Sequence, residues 1–337
     1  MSELPLCACV WAADPDATRD ALVALAGRAA LVELRLDRVA PDYPVGPVIG
    51  AAPLPVLATC RPPREGGAWS GDEGARLALL QRAVDAGARW VDLEWDVDPG
   101  AVVGALRLRS RHVFEPTAPA SFDALLASLG AGDLGKLAVA VEGAEQALEL
   151  LERAARVRPC PLVVALGPDG VAARVLGPSY GQPWTYAAHD PRDPTGPGQL
   201  DLTGLTRLWR GGRARAEAAY GVVGSPVGHS RSPALFNHLF AELGVDALYS
   251  WLQTADPQAL WNRCAADPRW RGFSVTTPHK QAAAAWARAR GTLSPAAEAT
   301  GAVNTLSRAG DAWRADNTDA RALRELLAPA GLSGRDA

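Results

Sequence analysis

The stretch Asp133-Leu-Gly-Lys136-Leu-Ala-Val-Ala-Val-Glu142 places one lysine near the entrance of a short apolar run. An ammonium is costly to bury unless it is paired or neutralised. A lysine held in that way can act as a nucleophilic amine, and its natural reaction is a Schiff base with a ketone. Taken alone, the pattern also fits a lysine that snorkels from a strand end. A second pattern bears on the choice. Glu33-Leu-Arg35-Leu-Asp37 alternates with period two, so on a strand its three charges share one face. On a central strand such inward charges need partners, and Glu33 with Arg35 or Arg61 is the economical pairing.

These residues need elements to carry them. Short β-rich runs alternate with amphipathic ones from Pro5 to Ala188. The predicted strands are 6–10, 31–36, 56–60, 90–95, 105–108 running on towards His112, 134–141, 161–166 and 184–188. Helices are predicted over 18–30, 75–86, 122–129, 144–156 and 170–176, with a last one in 200–210. Alternation of strand and helix implies parallel pairing. About eight units in this length fit an α/β fold of the (β/α)8 TIM barrel type, near its lower size limit. An open doubly wound sheet usually opens on a Gly-rich first turn, which is missing here. In a barrel the C-terminal strand ends line one mouth. That mouth would gather Glu33, Arg35, Arg61, His112, Lys136, Arg174 and Gln199.

The chain has 337 residues, enough for two domains, with 48% hydrophobic and 21% charged residues and a net charge of −3. No basic face is implied, so nucleic acid is not an expected partner, and no apolar run is long enough to span a bilayer. The N-terminal apolar run lacks preceding basic residues and reads as a first strand, not a signal peptide. Cys7, Cys9, Cys60, Cys160 and Cys264 are irregularly spaced, as expected of free thiols in a reducing cytoplasm. Cys7 and Cys9 share a strand face, but no matching His/Cys cluster follows and no metal is expected.

Residues 5–205 resemble the type I 3-dehydroquinate dehydratases. The resemblance rests on Glu33-Leu-Arg-Leu-Asp37, Thr59-Cys-Arg61 with Glu65-Gly-Gly67, Val91-Asp-Leu-Glu94, Ser110-Arg-His112, Gly135-Lys136-Leu-Ala138, Gly167…Gly170…Arg174 and Pro197-Gly-Gln199, in family order. It implies that Lys136 attacks the ring ketone of 3-dehydroquinate. His112 would then remove a proton from the adjacent carbon and return one to the leaving hydroxyl, giving 3-dehydroshikimate without a cofactor. Either Glu94 or Glu33 would orient the imidazole. Arg174 would bind the substrate carboxylate, while Glu33, Arg35, Arg61, Thr195 and Gln199 hold hydroxyls and position the loop over the site. The arginines would help to keep Lys136 neutral. The sequence departs from the family at Val163-Val-Ala-Leu-Gly167, which lacks a methionine, at Ala172-Ala173 in place of a serine, and at Thr195, where serine is frequent. The Gly-rich stretch between Glu65 and Arg76 is expected to be mobile.

A polar stretch, Gly211-Gly-Arg-Ala-Arg-Ala-Glu-Ala218, follows the barrel. Domains are therefore expected at 1–212 and 220–337, with a linker at 213–219. In the second segment Ser230 and Ser232 flank a helix start, with Pro233 in its first turn. Hydroxyls at a helix N-terminus suit a carboxylate, though ordinary capping explains them as well. The glycines at 221, 224 and 228 do not fit a dinucleotide fingerprint. With Gly272-Phe-Ser-Val-Thr-Thr-Pro-His-Lys280, Gly301-Ala-Val-Asn-Thr305 and Asp316-Asn-Thr-Asp319, the segment resembles the substrate-binding half of shikimate dehydrogenase, a smaller α/β domain. By resemblance Ser230 and Ser232 hold the shikimate carboxylate, and Thr276, Asn304 and Asp319 hold ring hydroxyls. Lys280 and Asp319 move the hydroxyl proton while hydride passes to or from NADP. Otherwise Lys280 is a surface lysine and Asp319 a helix N-cap.

The family's NADP-binding domain would begin after Leu332, and nothing earlier supplies its phosphate loop. Small-molecule substrates are thus the expected partners, and a homodimer is compatible with the sequence. Two rivals remain. In one, the second segment is a non-redox ligand-binding or dimerisation module; in the other, the barrel is a different Schiff-base enzyme, such as a class I aldolase.

Overall fold

The computed structural model describes residues 4–116, 118–209 and 214–328. Arg213, where the expected linker begins, and the chain end beyond Ala328 lie outside the described residues. The chain divides into two compact units, one running to Arg215 except for Gly143–Glu145, which group with the other, from Ala216.

The first unit is a nearly closed barrel of eight strands, β1 (Leu6–Trp11), β2 (Leu31–Arg35), β3 (Val56–Thr59), β4 (Trp90–Glu94), β5 (Leu106–Val113), β6 (Leu134–Ala140), β7 (Leu162–Leu166) and β8 (Thr185–Ala188). Their order is β7-β6-β5-β4-β3-β2-β1-β8, and every ladder is parallel. The two edge strands of this order, β7 and β8, come into contact, so the sheet curls round on itself. The helices are α1 (Pro15–Val23), α2 (Val45–Gly50), α3 (Glu73–Asp85), α4 (Ala118–Ala127), α5 (Ala144–Ala154), α6 (Val171–Leu176) and α7 (Leu202–Leu208). Expected and observed strands agree within a residue or two, and β5 runs on through His112 as expected. Three helical expectations differ, one of them α4, which starts at Ala118, four residues before the expected 122. The first helix stops at Val23, and the turns beyond it include Gly27 at φ +70°. The short α2 is unannounced because Gly46, Pro47 and Gly50 argue against a helix; burial of Val45, Val48 and Ile49 at helical spacing holds it.

Period-two alternation decides what the barrel contains. Cys7, Leu31, Leu57, Leu108, Leu134, Leu162 and Trp184 point inward and pack into an apolar floor. Trp90 closes it, edge-on to Trp184 with centroids 5.5 Å apart. Two residues further along the strands the inward positions turn polar, with Glu33, Thr59, Asp92, Ser110 and Lys136. One step higher stand Arg35, Arg61, Glu94 and His112. The floor keeps water from entering below, so these groups must satisfy one another.

The second unit is a mixed sheet of β9 (Ala218–Gly224), β10 (Ala247–Gln253), β11 (Trp270–Val275), β12 (Gly291–Leu293), β13 (Thr305–Ala309) and β14 (Ala312–Asp316), ordered β10-β9-β11-β13-β14-β12. Its helices are α8 (Ser232–Glu242), α9 (Pro257–Ala266), α10 (Lys280–Arg288), α11 (Pro295–Thr300) and α12 (Thr318–Leu327). A ladder of aromatic rings, Trp270, Phe273, Trp313 and Trp286, with successive centroids 5.4, 5.5 and 5.5 Å apart, fixes β11 against β14 and α10. Among the described residues no helix is long and apolar enough to cross a membrane.

The floor makes a prediction. Leu108→Ala, at a fully buried position, should cost about 2–5 kcal/mol, whereas Leu106→Ala, at a position 43% exposed, should cost about 0.5 kcal/mol or less. Denaturant midpoints of the two variants measure the difference.

Candidate active site

Eight of the barrel residues singled out from the sequence line one open cavity: Glu33, Arg35, Arg61, His112, Lys136, Arg174, Thr195 and Gln199. Lys136 stands on β6 opposite Ser110 of β5, and His112 is two residues further along β5, opposite Ala138. Amine and imidazole thus come from adjacent strands and face the same space.

The environment of Lys136 differs from expectation. Its Nζ lies 3.1 Å from Asp92 Oδ2 and 3.7 Å from Glu33 Oε1, above the ring of Tyr186 at 4.8 Å. Its nearest charged neighbours are carboxylates, not the arginines expected to keep it neutral. Those arginines are engaged elsewhere. Arg35 forms a two-pronged bond to Asp37 at 2.9 and 3.0 Å and donates to the Thr195 carbonyl at 3.2 Å. Arg61 donates to Asp92 at 2.5 Å, Glu94 at 2.6 Å and Ser110 at 2.7 Å. The expected pairing of Glu33 with Arg35 or Arg61 is therefore not made. Glu33 instead accepts a bond from the Thr59 hydroxyl at 3.0 Å and faces Lys136. Partner choice here follows barrel geometry: Arg61, at the top of β3, points over β4, whose two inward carboxylates capture it. Burial pushes Asp92 up, but Arg61 and Lys136 outweigh it and hold the carboxyl well below the usual range.

The imidazole is oriented by neither Glu94 nor Glu33. Glu65 Oε2 lies 3.0 Å from the His112 Nδ1 and accepts from the His112 backbone N–H at 2.5 Å. Glu94 is taken up by Arg61 and by Arg76, at 2.6 and 2.9 Å. Glu65 sits on a one-turn 3-10 helix, Pro63–Glu65, that ends in Gly66 at φ +76°. The next residue must be glycine, since a Cβ at Gly67 would lie 1.9 Å from the Arg61 carbonyl. The segment expected to be mobile is also tied down. Ala68 N–H donates to Asp37 at 3.0 Å, and Trp69 is buried. Burial, with Arg61 and Lys136 nearby, lowers the His112 pKa well below its usual value, and burial raises Glu65 to about 7. Above that pH a neutral imidazole keeps its Nδ1 proton and donates it in a hydrogen bond to the Glu65 carboxylate, which leaves Nε2 bare and able to accept a proton.

Arg174 is buried and its guanidinium meets no carboxylate. Nη2 donates to the Pro197 carbonyl at 3.0 Å, Nε has no partner, and burial pulls the pKa down to about 10. Gln199 is locked across the mouth. Its Oε1 accepts from the Thr195 N–H at 2.8 Å and the Thr195 hydroxyl at 3.1 Å, and its Nε2 faces Cys9 Sγ at 3.1 Å. Among the described residues no group of three or more His, Cys, Asp and Glu is placed to hold a metal.

In the second unit the predicted residues form two clusters. Lys280, the first residue of α10, donates to Asp319 Oδ2 at 2.6 Å. The N-cap of α12 is Asn317, which accepts from Ala320 N–H at 3.1 Å, so capping is not the task of Asp319. The hydrogen bond from Lys280 lowers the Asp319 pKa. Asn304 adjoins them, donating to the Thr318 hydroxyl at 2.9 Å and accepting from the Thr318 N–H at 3.0 Å. Ser230 and Ser232 meet at 3.1 Å where α8 begins. Thr276 follows β11, and its N–H donates to the Val223 carbonyl at 2.9 Å. Gly221 and Gly224 belong to β9 and serve close packing, since Cβ atoms there would fall 2.4 Å from Leu252 and 2.5 Å from Thr276.

Sequence reasoning missed Glu65 and Asp92 as site residues. Asp92 had a signal, because Asp92 and Glu94 alternate as Glu33 and Arg35 do. Glu65 had only the two glycines that follow it.

A parallel barrel with a buried amine and an imidazole at the C-terminal ends of adjacent strands defines the class. Residues 6–210 match the family model of type I 3-dehydroquinase, and the chain belongs to that family. Residues 222–306 match the shikimate dehydrogenase substrate binding domain; Asp319 lies beyond the match.

Particular relatives agree. The chain is 29% identical over 293 residues to the chloroplastic bifunctional 3-dehydroquinate dehydratase/shikimate dehydrogenase of Arabidopsis thaliana, covering 82% of this chain and 48% of that protein. It is 31% identical over 192 residues to a 3-dehydroquinate dehydratase of Dehalococcoides mccartyi, covering 54% of this chain and 86% of that one. It is 50% identical over 119 residues to an NADP(+) shikimate dehydrogenase of an Anaeromyxobacter species, covering 34% of this chain and 41% of that protein. Among solved structures, the 3-dehydroquinate dehydratase of Geobacillus kaustophilus shares the barrel fold, with a TM-score of 0.52 at 24% identity, covering 60% of this chain and 89% of the other. The chain thus spans about half the length of the bifunctional relative.

The Glu65–His112 pair predicts a fixed tautomer. Nitrogen-15 histidine spectra at pH 8 should show His112 protonated at Nδ1 and bare at Nε2, remaining neutral well below the ordinary histidine pKa. Glu65→Ala should replace that pattern with a mixture of tautomers.

Proposed function

We propose that the barrel dehydrates 3-dehydroquinate to 3-dehydroshikimate through a Schiff base on Lys136. The observation that carries this reading is a buried amine and a carboxylate-held imidazole facing one cavity, with an arginine opposite that lacks an anionic partner. Lys136, once deprotonated, adds to the ring ketone and expels its oxygen as water. The iminium then withdraws electrons from the neighbouring carbon, and His112 Nε2 takes its proton. The same imidazole returns a proton to the departing hydroxyl, and hydrolysis of the conjugated iminium frees the product. Arg174 binds the substrate carboxylate, the charge its guanidinium lacks. Thr195 and Gln199 close the loop over the ring, while Arg35 and Glu33 hold hydroxyls. Arg61 acts through Asp92 and Glu94.

The second unit takes shikimate or 3-dehydroshikimate, with its carboxylate at Ser230 and Ser232 and its ring hydroxyls at Thr276, Asn304 and Asp319. Lys280 and Asp319 exchange the hydroxyl proton. NADP(+) is printed in the name of the matched dehydrogenase, and no hydride step is derived for this chain. The Arabidopsis relative, which carries both activities in its name, favours this reading over a non-redox module and over an aldolase. Five buried free thiols, Cys7, Cys9, Cys60, Cys160 and Cys264, favour a reducing compartment such as the cytoplasm, although that relative is chloroplastic.

Two outcomes follow. Lys136→Ala should lower dehydroshikimate formation, followed by ultraviolet absorbance, by about 10³-fold or more, and should abolish the borohydride-trapped adduct; retained activity rejects the Schiff base. Ser230→Ala with Ser232→Ala should weaken shikimate binding about tenfold or more by calorimetry on the intact chain, with no change in dehydratase rate.

A further inference from the structure

The dehydration scheme gives tasks to Lys136, His112 and Arg174 and leaves the carboxylate nearest the amine without one. We infer that Asp92 is the fixed counter-ion of the nitrogen that becomes the Schiff base, a role that rests on the Schiff-base reading of Lys136.

Asp92 is fully buried on β4, with Oδ2 3.1 Å from Lys136 Nζ. Ser110 donates to its Oδ1 at 2.5 Å and Arg61 to its Oδ2 at 2.5 Å. Donors on both oxygens pin the carboxylate, so it cannot turn away when the amine reacts. From other elements, the amine faces Glu33 on β2, the Tyr186 ring on β8 and, electrostatically, Cys7 on β1, while His112 on β5 acts on Asp92. Glu33 is the weaker anion for this nitrogen. It is farther away, at 3.7 Å, and the same oxygen already accepts the Thr59 hydroxyl.

The reaction explains why a fixed anion belongs there. Overall, the lysine ammonium and the ketone give a protonated imine and water. A carbon–nitrogen double bond replaces the carbon–oxygen double bond, the oxygen leaves with two of the ammonium protons, and nothing is oxidised or reduced. The nitrogen carries one positive charge at the start and at the end. A pinned carboxylate stabilises both states without reorganising. It opposes the neutral amine between them, and Arg61 on the same oxygen tempers that opposition. Asp92 is not the base that takes the amine proton. Ser110 and Arg61 already donate to both of its oxygens, and despite burial Arg61 and Lys136 hold its carboxyl below the usual range.

The test uses the fact that Lys136 and Lys280 are the only lysines in the chain. The intact chain, without substrate, is treated with acetic anhydride across a pH series. Acetylation at Lys136 is read by peptide mass spectrometry, with Lys280 as the internal reference. Asp92→Asn should move the midpoint of Lys136 labelling down by roughly 1–3 pH units. It should also reduce the fraction trapped by borohydride with 3-dehydroquinate at neutral pH. Ser110→Ala strips one donor from the carboxylate and keeps its charge, so it should move the midpoint up. This variant decides the matter if Asp92→Asn does not fold. A merely structural Asp92 would leave the midpoint in place, and an unmoved midpoint in Asp92→Asn, or an unmoved or lowered one in Ser110→Ala, overturns the counter-ion assignment. A wild-type chain that gives no borohydride adduct at Lys136 overturns the Schiff-base reading itself, whatever the midpoints.

Discussion

A continuous chain of buried charges constrains the rest of the barrel. It runs from Lys136 through Asp92 to Arg61, on to Glu94 and Arg76, and out to Glu73 on α3. Each ion taken out of water costs several kcal/mol, and removing one member leaves its neighbour uncompensated at a cost of about 3–5 kcal/mol. Such a chain persists only where each link is met at bonding distance. The parallel register meets that demand by setting Asp92 and Glu94 on one face of β4, beneath Arg61 and beside Lys136. Arg76 also donates to the Cys60 carbonyl at 2.8 Å, so the outer end of the chain is fastened to the backbone where β3 leaves the barrel. The polar layer organises the site, and the apolar floor under it contributes the stability.

The choice of base within this layer carries its own information. Of 34 Lys and Arg residues, only Lys136 and Lys280 are lysine. A guanidinium stays charged at any working pH, whereas an amine can give up its proton. In this arginine-rich chain most ion pairs and cation–ring contacts among the described residues are made by arginine. Lysine stands at just two positions, one per unit, each within 3.1 Å of an aspartate. Arginine could serve either ion pair equally well. What arginine could not do is lose a proton there, and that is the property the proposed chemistry requires of both positions.

Much of this was legible in the sequence, and the reason it stopped is physical. Period-two alternation placed Glu33, Arg35, Lys136 and His112 inside, and the strand–helix rhythm put the strands in order. Partner identity was not legible, because it depends on how far a long side chain reaches across neighbouring strands. Arg61 stretches over β4 and is lost to Glu33; Glu33 turns to Thr59 and Lys136. Glu65 was harder still. It stands on a single 3-10 turn, which has no periodicity to announce it, and it reaches His112 only because Gly66 takes a left-handed conformation and Gly67 packs against a carbonyl. In hindsight the paired glycines were the readable mark that the chain turns back over the site.

The arginines of the cavity also argue for the charge of what it receives. Arg35 and Arg61 have their charges matched by carboxylates of the protein. Arg174, just as deeply buried, has one carbonyl and an idle Nε, and its pKa is depressed by burial with no anion to restore it. An uncompensated buried guanidinium is a cost to the free protein. An uncharged ketone would leave that cost standing. A carboxylate on the substrate would remove it, and because the guanidinium is already desolvated, the ion pair would form at low dielectric strength. This charge balance supports the proposed substrate, a small keto acid whose ketone would meet Lys136 and whose carboxylate would meet Arg174.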